Sequence, residues 1–421
     1  MQFQSSSQAI RSDEPLSTRN AEMTNDMHEK SPVRRRWRGL LACAAIAAGM
    51  ASFGARAQQA QDNEFRIGFA MALTGPIAEL TKLVMRGAEV QLERINASGG
   101  IGGLPVRFVV CDIQSQEAQA LLCTRRLIAQ DKVHMLIGAN GTATTLAAIP
   151  AVQSAGVPMF AFAGGKIVYD PLKKWVFKMV TSNDDQNPVM LEYSKHKNWK
   201  RAVLIRDGSS FGKDVSSSLL PLLKDYGVEL AAEEIYAPSD TDVTAQVARI
   251  RALNPDVVYN LASNLSLGAL VSRKLVQMGV QAPIVVQWNL QSPAYAELVP
   301  EAVGQTYFIG MKAALRDLPA SDPMYKNIMD FRQAFQKKYD GAEPVVPSLM
   351  TIDPLQIVQQ IGKRVGAKVR DPEVLRTELE SVENHVGILG IWSFSPTDHG
   401  PHLQDGLTMM QFKDHRWQQA N

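Results

Sequence analysis

Along the chain, short apolar runs alternate with longer segments in which apolar residues recur every third or fourth position. Phe65 to Met71 is such a run and reads as a buried strand. Leu80, Leu83, Val84, Gly87, Ala88, Leu92 and Ile95 then keep helical spacing up to a polar, glycine-rich exit at 96–100. Val106 to Val110 is the next strand, and Glu117 to Gln130 the next helix, with Ala118, Leu121, Leu122 and Ile128 inward. Val133 to Ile137, a helix, and a strand from Pro158 to Phe162 complete a β-α-β-α-β-α-β order, which predicts a parallel sheet with right-handed crossovers.

A second series begins beyond the polar stretch 181–185. Its strands are Ala202 to Ile205, Val228 to Tyr236, Val257 to Leu261, Ile284 to Gln287 and Thr306 to Ile309, with helices between, among them Val243 to Leu253 and Leu267 to Met278. The chain then turns helical at Tyr325 to Tyr339, Pro354 to Val365 and Pro372 to Val382, with late strands at Gly387 to Phe394 and Thr408 to Phe412. Helices without a full strand set do not make an α/β domain, so this segment is expected to return to the first half. The expected fold class is α/β, two doubly wound parallel-sheet lobes.

One stretch carries candidate chemistry. Val133 to Pro150, V-H-M-L-I-G-A-N-G-T-A-T-T-L-A-A-I-P, joins a strand, a turn broken by Gly138 and Gly141, and a helix start lined by Thr142, Thr144 and Thr145. A threonine there either caps the helix by accepting a free backbone N–H, or offers its hydroxyl, with the positive helix end, to an anion. In open α/β sheets such cradles lie beyond the carboxyl ends of the strands.

Composition narrows the function without naming it. The 421 residues carry 44 Lys+Arg against 42 Asp+Glu and are 45% hydrophobic, an ordinary globular balance with no basic excess to call for nucleic acid. Arg34-Arg35-Arg36-Trp37-Arg38 precedes an uncharged apolar run, Leu40 to Gly54, shorter than the roughly 20 residues of a membrane span. Ala55-Arg56-Ala57 completes a cleavable export leader covering residues 1–57, with a mature start near Gln58. The arginines fit a plain basic region or the twin-arginine route, and the long polar front, residues 1–26, points to translation starting at Met23 or Met27. Cys43 lies in the leader. Export permits a Cys111–Cys123 disulfide, and free buried thiols fit the same spacing.

Enzyme patterns are incomplete. Gly208-Ser209-Ser210-Phe211-Gly212 matches G-x-S-x-G after a strand, which would make Ser210 a nucleophile, yet none of His385, His399 and His402 stands in a triad setting. His399-x-x-His402 lacks further metal ligands, and no G-x-G-x-x-G follows the first strand. Neither an enzyme nor a metal or cofactor is expected.

The ordered motifs resemble the periplasmic branched-chain amino-acid-binding family, the solute receptors of ABC importers. They are Ile67-Gly68, Leu73-Thr74-Gly75-Pro76, Ile95 to Gly103, Asp112-Ile113-Gln114-Ser115, Ile137-Gly138 through Pro150, and Ala155-Gly156-Val157-Pro158. In the second half they are Tyr236 to Asp242 and Asn254-Pro255-Asp256. The resemblance implies a type I flytrap with a three-strand hinge near Lys178–Thr181, Ile309–Lys312 and Ile391–Ser395. Lobe one would be residues 64–179 plus 311–392, and lobe two residues 181–309 plus 394–421. It also implies a monomeric periplasmic receptor that hands a small-molecule carboxylate to an ABC permease in the inner membrane, or, alternatively, to a sensor.

Carried over residue by residue, the resemblance puts Thr142 and Ala143 on the ligand carboxylate, beside backbone at Ala163 and Gly164. Asn183 stands where the first crossing commonly has aspartate, Asn264 where tyrosine is common, and Phe211 retains an aromatic place. Gly165 replaces a binding threonine, and Trp288 stands where lobe two commonly offers an acid to the ligand ammonium. A buried ammonium without a carboxylate costs several kcal/mol. These departures point to an aromatic or hydrophobic carboxylate, with Phe211 and Trp288 as walls and Asn183 and Asn264 as polar contacts. The alternative is a branched-chain amino acid.

Overall fold

The computed structural model describes residues 63–400 and 402–420. Its first sheet is built in chain order from β1 (Phe65–Met71), α1 (Ala78–Ala97), β2 (Val106–Asp112), α2 (Glu117–Ala129), β3 (Met135–Gly138), α3 (Thr142–Ala155), β4 (Met159–Ala161) and β5 (Val176–Lys178). The strands are parallel in the order β2-β1-β3-β4-β5. Every residue of β1, β3 and β4 is buried, the pattern of a sheet covered on both faces. This explains why these strands read as unbroken apolar runs.

The second sheet follows α4 (Asn183–His196). It takes in β6 (Arg201–Asp207), α5 (Ser210–Leu219), β7 (Glu229–Tyr236), α6 (Thr244–Leu253), β8 (Val257–Asn260), α7 (Leu265–Gln277), β9 (Ile284–Val286), α8 (Pro293–Leu298), α9 (Pro300–Val303) and β10 (Thr306–Met311). Next come α10 (Tyr325–Lys338), α11 (Ile352–Val365), α12 (Pro372–Leu379), β11 (His385–Val386), β12 (Ile391–Trp392), β13 (Leu407–Lys413) and β14 (Arg416–Gln419). The order is β14-β13-β10-β9-β8-β6-β7. The strands β6 to β10 run parallel, as expected, and β13 and β14 extend one edge antiparallel, β13 to β10 and β14 to β13.

The late helices pack against α1 of the first sheet. Lys338 Nζ reaches Glu93 at 2.7 Å and Gln359 Nε2 donates to Ser98 Oγ at 2.8 Å, both partners on or just after α1. Gly87 of α1 lies so close to Ser348 that a Cβ there would stand 1.6 Å from its carbonyl oxygen. The chain therefore passes between the lobes after β5, after β10 and between β12 and β13.

The apolar stretch 387–394 is not one strand. Ile388 and Leu389 donate their N–H groups to buried Asp353 at 2.7 and 2.8 Å, and Trp392 Nε1 adds a third bond at 2.9 Å. A carboxylate claims the donors that a neighbouring strand would need, and a two-strand hairpin, β11–β12, results.

Cys111, in β2, and Cys123, in α2, are bridged, with Cα atoms 5.7 Å apart and 12 residues of separation, which resolves the alternative left open by spacing. For a loop of this size the bridge contributes about 3 kcal/mol, chiefly by restricting the unfolded chain. Cys111→Ser with Cys123→Ser should lower the unfolding free energy by roughly that amount in a urea titration. A change under about 1 kcal/mol would mean the unfolded chain is not restrained by it.

Candidate functional site

The helix start at α3 is shaped by glycine and threonine, but not through side-chain caps. Gly141 precedes it at φ 104°, a conformation that disfavours a side chain, and no hydroxyl accepts a free N–H there. Thr144 Oγ1 donates back to Asn140 O at 2.8 Å and Thr145 Oγ1 to Ala139 O. The capping alternative is thereby replaced: two threonines brace the turn, and Thr142 does neither job. Its Oγ1 is buried and has no hydrogen-bond partner. A buried hydroxyl without a partner is costly, and this one sits at the positive end of a 14-residue helix.

Next to it runs the loop after β4. Gly141 N–H donates to Phe162 O at 3.0 Å, which ties this loop to the helix start. A Cβ on Gly165 would lie 2.8 Å from Thr142 Cγ2, 3.0 Å from its Oγ1 and 3.4 Å from Asp214 Cγ. One on Gly164 would lie 3.6 Å from the ring of Phe211. Two residues of the second lobe, Phe211 and Asp214 on α5, thus close over the first lobe's glycine pair. Ala143 follows Thr142 in α3, and buried Ala163 offers its carbonyl to Tyr169.

Asn183 is fully buried at the centre of this contact. Its backbone N–H donates to Gly164 O at 3.0 Å. Its Nδ2 donates to Asp214 Oδ2 at 2.8 Å, and its Oδ1 accepts from Gln287 Nε2 at 3.2 Å. Asp214 also accepts from the backbone N–H groups of Lys166, 2.8 Å, and Ile167, 3.0 Å. A continuous polar chain therefore runs from the first lobe's loop through Asp214 and Asn183 to Gln287.

The remaining sequence-derived residues lie differently. Asn264 accepts from Leu267 N–H at 3.1 Å as the cap of α7. Trp288 is 7% exposed within the core, its backbone N–H donating to Gln186 Oε1 at 3.2 Å. Sequence reasoning missed Asp214 and Gln287. Asp214 stands three residues after Phe211 on α5, the helical spacing that puts both on one face. Gln287 follows β9, and its Oε1 is buried without a partner.

The G-x-S-x-G stretch serves as a helix start, with Ser209 Oγ accepting from Gly212 N–H at 3.1 Å. His399 bonds Val176 O and Glu380 at 3.1 Å each, and His402 lies 3.7 Å from Asp185. Among the described residues no group of three or more His, Cys, Asp or Glu could hold a metal ion. A separate cavity of about 210 Å³ lies at the first and third crossings, lined among others by Lys166, Tyr169, Lys178, Asp184 and His402. Of the residues around Thr142, it shares only Lys166 with the contacts of Asp214.

Comparison with known proteins agrees with this architecture. The model of a family described as periplasmic binding protein matches residues 64–416. An "Amino acid binding protein" of Pseudomonas aeruginosa is 29% identical over 305 residues, 72% of this chain and 79% of that protein. The "Leu/Ile/Val-binding protein homolog 3" of Brucella melitensis is 26% identical over 262 residues, 62% of this chain and 70% of that protein. Among solved structures, an extracellular ligand-binding receptor from Rhodopseudomonas palustris superposes with TM-score 0.76 at 23% identity, covering 85% of this chain and 99% of its own. The branched-chain amino acid transporter substrate-binding protein of Streptococcus pneumoniae, solved with isoleucine, superposes with TM-score 0.72 at 23% identity, over 84% and 98%.

Proposed function

Since the chain belongs to the periplasmic binding protein family, we propose that it is the exported solute-binding subunit of an ABC importer and that it closes on a small apolar α-amino acid. The observation that carries this reading is the pairing of Thr142, whose buried hydroxyl lacks a partner, with Asp214 across Gly165. A ligand carboxylate takes the hydroxyl and the helix end, and its ammonium faces Asp214, which has one of its four acceptor positions left after three donors. The sequence argument against an amine rested on the lack of an acid in the second lobe, and Asp214 is such an acid. A carboxylate without an amine would meet it with like charge: two such groups about 6 Å apart repel by about 3 kcal/mol. Relatives named for leucine, isoleucine and valine support the same class. The lobes close because the ligand touches both only in the closed form.

A second reading keeps the fold and omits the amine. It is favoured by the Phe211 ring at Gly164 and by the three donors that already neutralise much of the charge on Asp214, a setting for an aromatic carboxylate. The two separate in a thermal-shift and calorimetry panel on protein unfolded, stripped and refolded. Leucine, isoleucine and phenylalanine should stabilise it, and benzoate and 4-hydroxybenzoate should not. Stabilisation by the amine-free acids alone overturns the first reading.

Thr142→Val keeps the shape and deletes the hydroxyl. A hydrogen bond to a charged group contributes about 1.5–3 kcal/mol, so Kd should rise roughly 10- to 100-fold by calorimetry. An unchanged Kd would remove Thr142 from the site. The leader, residues 1–57, lies outside the described residues, and N-terminal sequencing of periplasmic protein, with a start near Gln58, tests export.

A further inference from the structure

We propose that Asp214 is an interlobe latch, whose carboxylate on the second lobe grips the Lys166–Ile167 turn of the first and stabilises the closed arrangement whether or not a solute is bound. The inference rests on the reading of two lobes that close, but not on the identity of the solute. Every donor on the carboxylate belongs to the protein: Lys166 N–H at 2.8 Å, Ile167 N–H at 3.0 Å and Asn183 Nδ2 at 2.8 Å. Two of the three come from backbone of the other lobe, so the contact does not depend on which side chains stand at 166 and 167.

The latch is also held in place. Asp214 is 8% exposed, and Asn183, which orients it, is itself fixed by Gly164 O and Gln287 Nε2. Parting the lobes separates the carboxylate from both backbone donors at once. The neighbouring ion pair of Lys166 with Asp184, 3.0 Å, has side chains 48% and 29% exposed and adds little. Gln287 ends the chain on an unpartnered Oε1.

The closed-to-open ratio can be read directly. Spin labels on Lys82→Cys, in α1, and Ala245→Cys, in α6, sit on exposed helix starts that follow the carboxyl ends of β1 and β7, and both native cysteines of the described chain are bridged. Pulsed dipolar distances are measured on the full mature chain, stripped of solute. With the native Asp214 a short-distance population is expected. Asp214→Ala should lower the ratio of short to long distances about tenfold or more, since hydrogen bonds to a charged group are lost. Asn183→Ala should lower it by less, and Asp214→Asn, which keeps one acceptor oxygen, should fall between native and Asp214→Ala.

The far-ultraviolet melt of each variant checks folding, and Asn183→Ala with Asp214→Asn carry the test if Asp214→Ala does not fold. Distance distributions that coincide with the native one in the folded variants overturn the latch. If, in that case, the variants also lose stabilisation by leucine, Asp214 serves the solute alone. If the distances shift while no amino acid stabilises the protein, the latch stands and the ligand reading fails.

Discussion

Lys178→Met is expected to lower the unfolding free energy by about 3–5 kcal/mol, the range for stripping one partner from a buried ion pair. Lys178 ends β5 at the first crossing, 1% exposed, and its Nζ lies 2.5 Å from Asp185 Oδ2 and 3.1 Å from Ser182 Oγ. Burial would raise the carboxyl of Asp185, but the Lys178 charge and donors from His402 and Ser182 outweigh it and hold the group well below the usual carboxylate range. The methionine chain fills the space of the lysine stem and leaves a carboxylate, 0% exposed, without the lysine charge. Urea titration at neutral pH measures the loss. Adding Asp185→Leu should recover only part of it, because that carboxylate also accepts from Ser182 N–H at 2.7 Å and Leu403 N–H at 3.0 Å. A loss under about 1 kcal/mol for Lys178→Met would show the pair to be hydrated in solution.

Gly165→Val is expected to weaken solute binding about a hundredfold, near 3 kcal/mol, and to lower the melting temperature of the stripped protein as well, because part of the clash lies within one lobe. The first added carbon would already lie 2.8 Å from Thr142 Cγ2. Thr142 cannot swing away cheaply, since a β-branched side chain in a helix has few χ1 options. On the other flank Asp214 stands 3.4 Å off. The valine therefore opposes closure against Asp214, while its clash with Thr142, on the same lobe, is carried open or closed. Thr142→Ala placed on Gly165→Ala makes room for one carbon and should restore more closure than Gly165→Ala alone retains. Native affinity in Gly165→Val would mean that the glycine pair and Thr142 do not meet when solute is held.

The strands buried on both faces were legible because burial leaves an unbroken apolar run, as in β1 and β3. Two strands, β5 and β14, were missed. β5 has three residues, too few for a period, and β14 is Arg416-Trp417-Gln418-Gln419, an edge strand with polar faces. The run at 387–394 misled because Asp353, more than 30 residues earlier, takes its backbone donors. At the site, Thr142 was legible from a strand, a glycine turn and a hydroxyl in sequence. Asp214 was not, because searching by loop spacing follows where backbone segments align, whereas an acid acts where its side chain reaches. Its register with Phe211 on one helix face was the available signal. Thr144 and Thr145 resemble Thr142 in sequence, and only the carbonyls within their reach make them braces.

The interleaving of the chain has a consequence for biogenesis. Neither lobe is complete until late in synthesis: the first awaits α10 to α12, and the second awaits β13 and β14, which end at Gln419. A nascent chain lacking its last 20 or so residues leaves an edge of β10 unpaired. Until β13 arrives, the edge of β10 is open to water or to a strand of another chain, so the tail closes the second sheet against unwanted pairing.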